Sequence, residues 1–241
     1  MAGCVGTVLS GEQLSGGVTA VDDFKAFLRN LVARRQREGA QHAGEILSTL
    51  IGATDLGGAD HSGERLSELE LLHNCIFLLN AGHETTTNLI GNGLVALSDY
   101  PDQKQRLLDN PALIKPTVEE ILRFESSNQL GNRMTTEAVE IGGVAVPANT
   151  SVTLCIGAAN RDPAQFTDPE RLDIARAPNR HLAFGTGVHQ CAGMALARLE
   201  GAIALSRFLA RFPNYALTGA PVRGGRARFR GFTSVPCRVH T

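Results

Sequence analysis

This 241-residue sequence lacks an excess of charge of either sign, since 23 lysines and arginines stand against 24 aspartates and glutamates and leave a formal net charge of −1. With no basic excess, and no basic tract interleaved with aromatics, nothing argues for a nucleic-acid surface. No apolar run is long enough to cross a bilayer. The longest, around Cys75 to Ala81, falls far short of the roughly 20 residues a span needs. The opening MAGCVGTVLSGEQLSGG has no positive segment followed by a long apolar one and does not read as a secretory signal. Five cysteines, an odd number at wide and irregular spacing, make no disulfide framework and fit a reducing compartment. With 43% hydrophobic residues, the expectation is a soluble, cytoplasmic, globular protein with one sizeable core or at most two domains.

What is present reads mainly as helix. Residues 1–18 are glycine-rich and are expected to form a flexible segment ahead of a body covering 19–241. Thr19 and Asp22 resemble a capping box, and Val21, Phe24, Leu28, Leu31 and Val32 form an apolar stripe, so a helix is expected to end near Gly39. The ArgArgGlnArg run at Arg34 to Arg37 reads as a solvated face near its C-terminus. A short helix over Ala43 to Gly52 and a polar loop over Thr54 to Gly63 follow. Ser67 and Glu70 then open a second box, and a helical pattern without proline continues to about Ser98. About thirty residues at ~1.5 Å each span roughly 45 Å, so this helix should cross the core. It carries a polar knot, AlaGlyHisGluThrThrThrAsn at Ala81 to Asn88. There Gly82 weakens the helix, and the Thr85 hydroxyl can bond back to the Ala81 carbonyl, opening the ladder for a small molecule.

Proline-punctuated helices come next and end in ValGluGluIleLeuArgPhe, which sets Glu120 and Arg123 at i, i+3 on one face. Short strands then take over. Ala138 to Val146 folds about Gly142-Gly143, and Ser151 to Ile156 adds a third strand. Residues 160–180 read as irregular, and Arg226 to Val239 as an edge hairpin. The fold class is therefore mainly α with a minor antiparallel β-sheet.

The chemistry concentrates in Phe184 to Gly193, PheGlyThrGlyValHisGlnCysAlaGly. From Ala192 the sequence is helical in pattern, with Ala195, Leu196, Leu199, Ala202 and Ile203 on one face, so Cys191 is expected at or beside a helix N-terminus. Such a position favours thiolate, the form that ligates a metal or attacks an electrophile. Gly185, Gly187 and Gly193 let the backbone turn tightly against something flat or bulky.

Phe184, Gly185, Gly187, His189, Cys191 and Gly193 match, position for position, the haem-binding loop F-G-x-G-x-H-x-C-x-G of the cytochrome P-450 family in its soluble bacterial form. The resemblance implies a haem b whose iron takes Cys191 as axial thiolate, the ligand that favours O–O cleavage. It places Ala81, Gly82, Glu84 and Thr85 in the family's oxygen-binding groove, with Glu84 and Thr85 delivering protons to the dioxygen. Glu120 and Arg123 match the family's E-x-x-R, completed by Arg171 of a ProGluArgLeu segment where phenylalanine is usual instead of Leu172. Arg133 resembles an arginine that reaches a haem propionate, with His181 and His189 as further candidates, while Ser126 to Gly131 and Gly231 to Thr233 fall where the family contacts substrate.

The implied reaction inserts one oxygen atom of O₂ into a small apolar molecule, with electrons from NAD(P)H through a ferredoxin-type partner. A usual member of the family is far longer. The resemblance therefore implies a C-terminal portion without the substrate lid, impaired as it stands, with an exposed surface open to self-association or to a complementing chain. Two other readings of the residues stand beside it. One is a haem-free structural or regulatory fragment, and the other is a hydrolase using Cys191 as nucleophile with His189 or His181 as base.

Overall fold

The computed structural model describes residues 11–42, 44–54 and 65–240, and the chain divides into two compact units, one within Thr7–His83 and one from Glu84 to Thr241. The first unit holds α1 (Gly11–Glu38), α2 (Ile46–Gly52) and the start of α3 (Glu68–Asp99). Helix α1 opens at Gly11, so residues 11–18, expected to be loose, are helical, and Thr19 caps nothing. Its hydroxyl instead returns a 3.1 Å bond to the Ser15 carbonyl one turn back. Of the expected stripe only Leu28 and Val32 are buried, and Val21 is 40% exposed. The remaining polar loop and the opening residues lie outside the described residues.

The second capping box is built as read. The Ser67 N–H donates to Glu70 Oε2 at 2.8 Å and the Glu70 N–H donates to Ser67 Oγ at 3.3 Å, satisfying two of the donors that a helix start leaves over. From there α3 runs as one unbroken helix of 32 residues through the polar knot. Its environment changes along its length. Phe77 to His83 are exposed all round, while Asn88, Leu89, Asn92, Val95, Ala96 and Leu97 are buried. Leu71 and Leu72 at its start are also buried, so the helix is buried at both ends of its course and exposed between.

In the second unit α4 (Pro101–Asp109), α5 (Ile114–Phe124) and α7 (Met194–Arg211) surround that buried half, with a single turn, α6 (Ile156–Ala159), between. Leu89, Val118, Ile121, Leu122 and Leu205 form one cluster, and Leu97, Leu107, Ile174, Leu209 and Tyr215 a second. Gly201 is where α7 comes closest: a Cβ there would stand 3.0 Å from Leu89 Cδ2 and 3.5 Å from Val118 Cγ1. This close approach decides which face of α7 turns inward. The buried residues are Gly201, Leu205 and Leu209, and most of the expected stripe faces out, with Leu196, Leu199 and Ile203 at 55%, 56% and 48% exposure, while Ala202 packs half-buried against the Leu89 cluster. The helix is apolar on both sides, so period alone does not choose between them.

Four two-stranded antiparallel ribbons complete the unit. β1 (Leu130–Met134) pairs with β4 (Ser151–Cys155), and β2 (Val139–Ile141) with β3 (Val144–Val146). The β2–β3 turn is the two-residue hairpin expected, since Gly142 and Gly143 both have positive φ, at 57° and 81°. The C-terminal strands differ from expectation. β7 (Phe232–Ser234) pairs back to β6 (Val222–Arg223), and β8 (Cys237–Arg238) to β5 (Ala216–Leu217), rather than with each other. Residues 160–180 contain no helix or strand, as read from their prolines.

Candidate functional site

The Cys191 loop has a fixed backbone and free side chains. The Cys191 N–H donates to the Phe184 carbonyl at 2.9 Å, the Gly185 N–H to Leu182 at 2.8 Å, and the Gln190 N–H to Gly187 at 3.0 Å across a 3₁₀ turn, Gly187–His189. Gly185 and Gly187 have φ of 66° and 74°, in the left-handed region that glycine enters at least cost. Phe184 turns inward against the Leu89 cluster, whereas every residue from Thr186 to Gly193 is exposed, Val188 at 98%. Helix α7 begins at Met194 with Gly193 as its N-cap, so Cys191 lies two residues before the cap rather than on the helix.

Behind the loop, Glu120 and Arg123 form a fully buried pair, both side chains at 0% exposure. The guanidinium forks onto the carboxylate, Nε to Oε2 and Nη2 to Oε1, each at 2.8 Å. Its other hydrogens go to the carbonyls of Asn160 and Pro169 at 2.9 Å and of Arg171 at 3.2 Å, so all five donors of an arginine are used. Glu120 also accepts from Arg176 Nε at 3.2 Å, Asn179 Nδ2 at 3.1 Å and the Asp173 N–H at 3.0 Å. The third member of the network is thus Arg176. Arg171, expected in that role, contributes only its carbonyl. Asn160, itself buried, links this network to the loop by accepting from the Leu182 N–H at 2.6 Å.

The preceding residue, Glu119, faces elsewhere. It takes Arg198 Nε at 2.7 Å and Nη2 at 3.0 Å, and lies 3.0 Å from His181 Nε2. His181 Nδ1 is 3.3 Å from the Ala183 N–H, which assigns the lone pair to Nδ1 and the proton to Nε2. Burial works against the Glu119 charge, but the bonds from His181 and Arg198, with the charge of Arg198, outweigh it and hold the carboxyl at about 2.

The two loops expected near substrate are joined. The Arg230 N–H donates to the Ser127 carbonyl at 2.9 Å and the Gln129 N–H to Arg228 at 2.8 Å. Asn92 Nδ2 on α3 holds both segments, at 3.0 Å from the Glu125 and Arg230 carbonyls, and the Asn88 side chain fills the space a Cβ on Gly231 would need. Glu84, one turn earlier on the same face, ion-pairs with Arg226. Glu125 anchors this assembly through Arg230 at 2.6 Å and Arg223 at 3.0 Å.

The sequence profile of the family described as Cytochrome P-450 matches residues 7–215. The chain belongs to the cytochrome P-450 family. It is 40% identical over 236 residues to cytochrome P-450 107B1 of Saccharopolyspora erythraea, covering 96% of this chain and 56% of that protein. It is 43% identical over 210 residues to the 6-deoxyerythronolide B hydroxylase of the same organism, covering 87% of this chain and 50% of that one. The fold superposes on P-450BioI, solved in complex with hexadec-9Z-enoic acid ligated acyl carrier protein, with a TM-score of 0.86 at 37% identity, over 97% of this chain and 58% of that one. The chain thus spans about half the length of the curated relatives it matches.

Cytochrome P-450 proteins carry a haem iron held by a cysteine thiolate, and the Cys191 loop fits that group. Its one soft donor is exposed, its backbone is fixed from within, and nothing lies within 4 Å of where a Cβ on Gly187 would be. Among the described residues no three His, Cys, Asp or Glu side chains converge on a metal site. His189 is exposed beside Cys191. Arg133 stands exposed on β1, opposite Val152, with Nη1 on the neighbouring Asn132 carbonyl at 2.9 Å. His181 is placed differently, 3% exposed and with both ring nitrogens engaged by Glu119 and Ala183. Ala81 and Gly82 are exposed on α3, and Thr85 is half-buried. Arg176 and Glu119 escaped the sequence reading because nothing local separates them from their neighbours Arg171 and Glu120. No described helix is long and apolar enough to cross a membrane.

Proposed function

We propose that this chain carries the haem-thiolate half of a monooxygenase, with Cys191 as the iron ligand and Arg133 and His189 at the propionates. The observation that carries the reading is the division of labour in the loop: an anchored backbone with the thiol and the imidazole presented outward. When bound, the haem would supply oxygen activation for insertion of one atom of O₂ into a small apolar molecule. Glu84 and Thr85 would move protons toward the oxygen, and Ala81 and Gly82 would leave room beside them. The joined loops at Ser127 and Arg230 would bound the substrate side. Electrons would come from NAD(P)H through a ferredoxin-type donor in the cytoplasm.

The apolar groups on the outer face of α7, Leu196, Leu199 and Ile203, support a further part of the reading. A protein of this kind rarely leaves such a row open to water, so the isolated chain would self-associate and hold haem weakly, because each missing wall leaves porphyrin surface unburied. Titration of the purified chain with haemin, followed by reduction, CO and light scattering, tests this. The expected result is weak, aggregation-coupled binding that tightens when the N-terminal portion of a relative is added. A chain that never develops a CO-sensitive band, with or without that portion, would overturn the haem assignment in favour of a haem-free fragment.

A further inference from the structure

Resting on the reading of Cys191 as the haem ligand, we infer that Glu119, His181 and Arg198 are positioning residues that set the Cys191 loop on its helices. Three elements meet here: α5 supplies Glu119, the loop leading into the 3₁₀ turn supplies His181, and α7 supplies Arg198. The Arg198 guanidinium lies 4.7 Å from the centroid of the Phe184 ring, and the His181 ring packs at a tilt against the same ring at 6.0 Å. Both are held in place by one carboxylate, through a two-pronged bond to Arg198 and a single bond to His181. Phe184 is the residue whose carbonyl accepts the Cys191 N–H. The line of contact therefore runs from Glu119 through two cations or donors to an aromatic ring, and from that residue's backbone to the ligand's own amide.

Physical chemistry favours this as a clamp rather than an incidental surface pair. A bidentate guanidinium–carboxylate bond fixes direction as well as distance. A guanidinium over an aromatic face adds attraction; Arg198 is 40% exposed, while the His181 side chain against the same ring is 3% exposed. The strongly lowered titration of Glu119 agrees with a carboxylate charged throughout the ordinary pH range. The buried Glu120–Arg123 network holds the irregular segment at Asn160, Pro169 and Arg171, upstream of the loop. Of the two networks it is the Glu119 cluster that touches the ring of Phe184, which also packs on the Leu89 cluster.

The test uses hydrogen exchange by mass spectrometry on peptides covering residues 181–193, a readout that needs no haem. In Glu119→Gln, which keeps shape and removes charge, exchange of this peptide should rise roughly tenfold or more, while peptides from α5 and α7 keep their protection. Arg198→Lys, which keeps charge but not the fork, should rise by less, and Arg198→Ala by at least as much as Glu119→Gln. In haem-loaded protein the same variants should show a smaller share of the thiolate-type band in the reduced CO spectrum, with Arg198→Lys restoring part of it. Unchanged exchange of residues 181–193 in both Glu119→Gln and Arg198→Ala would overturn the clamp even if the wild-type loop binds haem. A loosened loop in a chain that takes up no haem would instead leave the clamp standing and remove the ligand assignment.

Discussion

Glu119 and Glu120 are adjacent on α5, carry the same carboxylate, and enter two networks of different character. Glu120 is wholly sealed with Arg123, and both its carboxylate oxygens and all five guanidinium N–H groups of Arg123 are bonded within the protein. Glu119 sits at the rim, 28% exposed, against an Arg198 that is 40% exposed. The helical turn that separates neighbouring residues by about 100° sends one inward to the core and one toward the Cys191 loop. The difference teaches that a buried ion pair organises a fold because neither partner can be removed alone, whereas a rim pair can tune one loop without endangering the rest.

The largest effect should come from breaking the sealed pair. Glu120→Ala or Arg123→Ala leaves an unmatched charge in a dry site and should cost on the order of 3 to 5 kcal/mol, read as a fall in the urea midpoint or as insoluble protein. A soluble Glu120→Ala protein with an unshifted midpoint would refute the network as the organiser of the core.

A smaller effect separates two arginines. Arg176→Ala removes a side chain that bonds both oxygens of Glu120 and should cost about 1.5 to 3 kcal/mol, as for hydrogen bonds to charged groups. Arg171→Ala leaves the bonds to Glu120 in place, since only the Arg171 carbonyl takes part in the network, and should stay within roughly 0.5 kcal/mol, as surface substitutions do. Urea titration of the two variants side by side decides the point, and equal costs would contradict the assignment of Arg176.

The rim pair should reveal itself through pH. Glu119 has a folded value of about 2 against an ordinary 4.5. A carboxyl depressed in the folded state contributes stability above its unfolded value and loses it as pH falls toward its folded value. The gap in thermal midpoint between wild type and Glu119→Gln should therefore be full above about pH 4.5 and close progressively toward pH 2. A gap that does not change across that window would show that the charge on Glu119 contributes nothing.

The sequence was legible where structure is local. Ser67 and Glu70 lie three residues apart and cap each other, and Gly142-Gly143 makes its own turn, so both could be read without knowing the fold. The glycine spacing of the Cys191 loop was legible for the same reason. Illegible features depend on what lies across space. The outer and inner faces of α7 are both apolar, and only the approach of Leu89 to Gly201 selects one. Arg171 and Arg176 stand five residues apart in a segment without periodicity, so the path of the backbone decides which reaches Glu120. His181 was a candidate for a propionate by the family resemblance, but its ring turns to Glu119, on a helix more than sixty residues earlier.

The most direct measurement is the reduced CO spectrum of haem-loaded Cys191→His beside Cys155→Ala and Cys237→Ala. The account predicts that the thiolate-type band persists in the latter two and is lost in the first. A Cys191→His protein that keeps the thiolate-type band would contradict it.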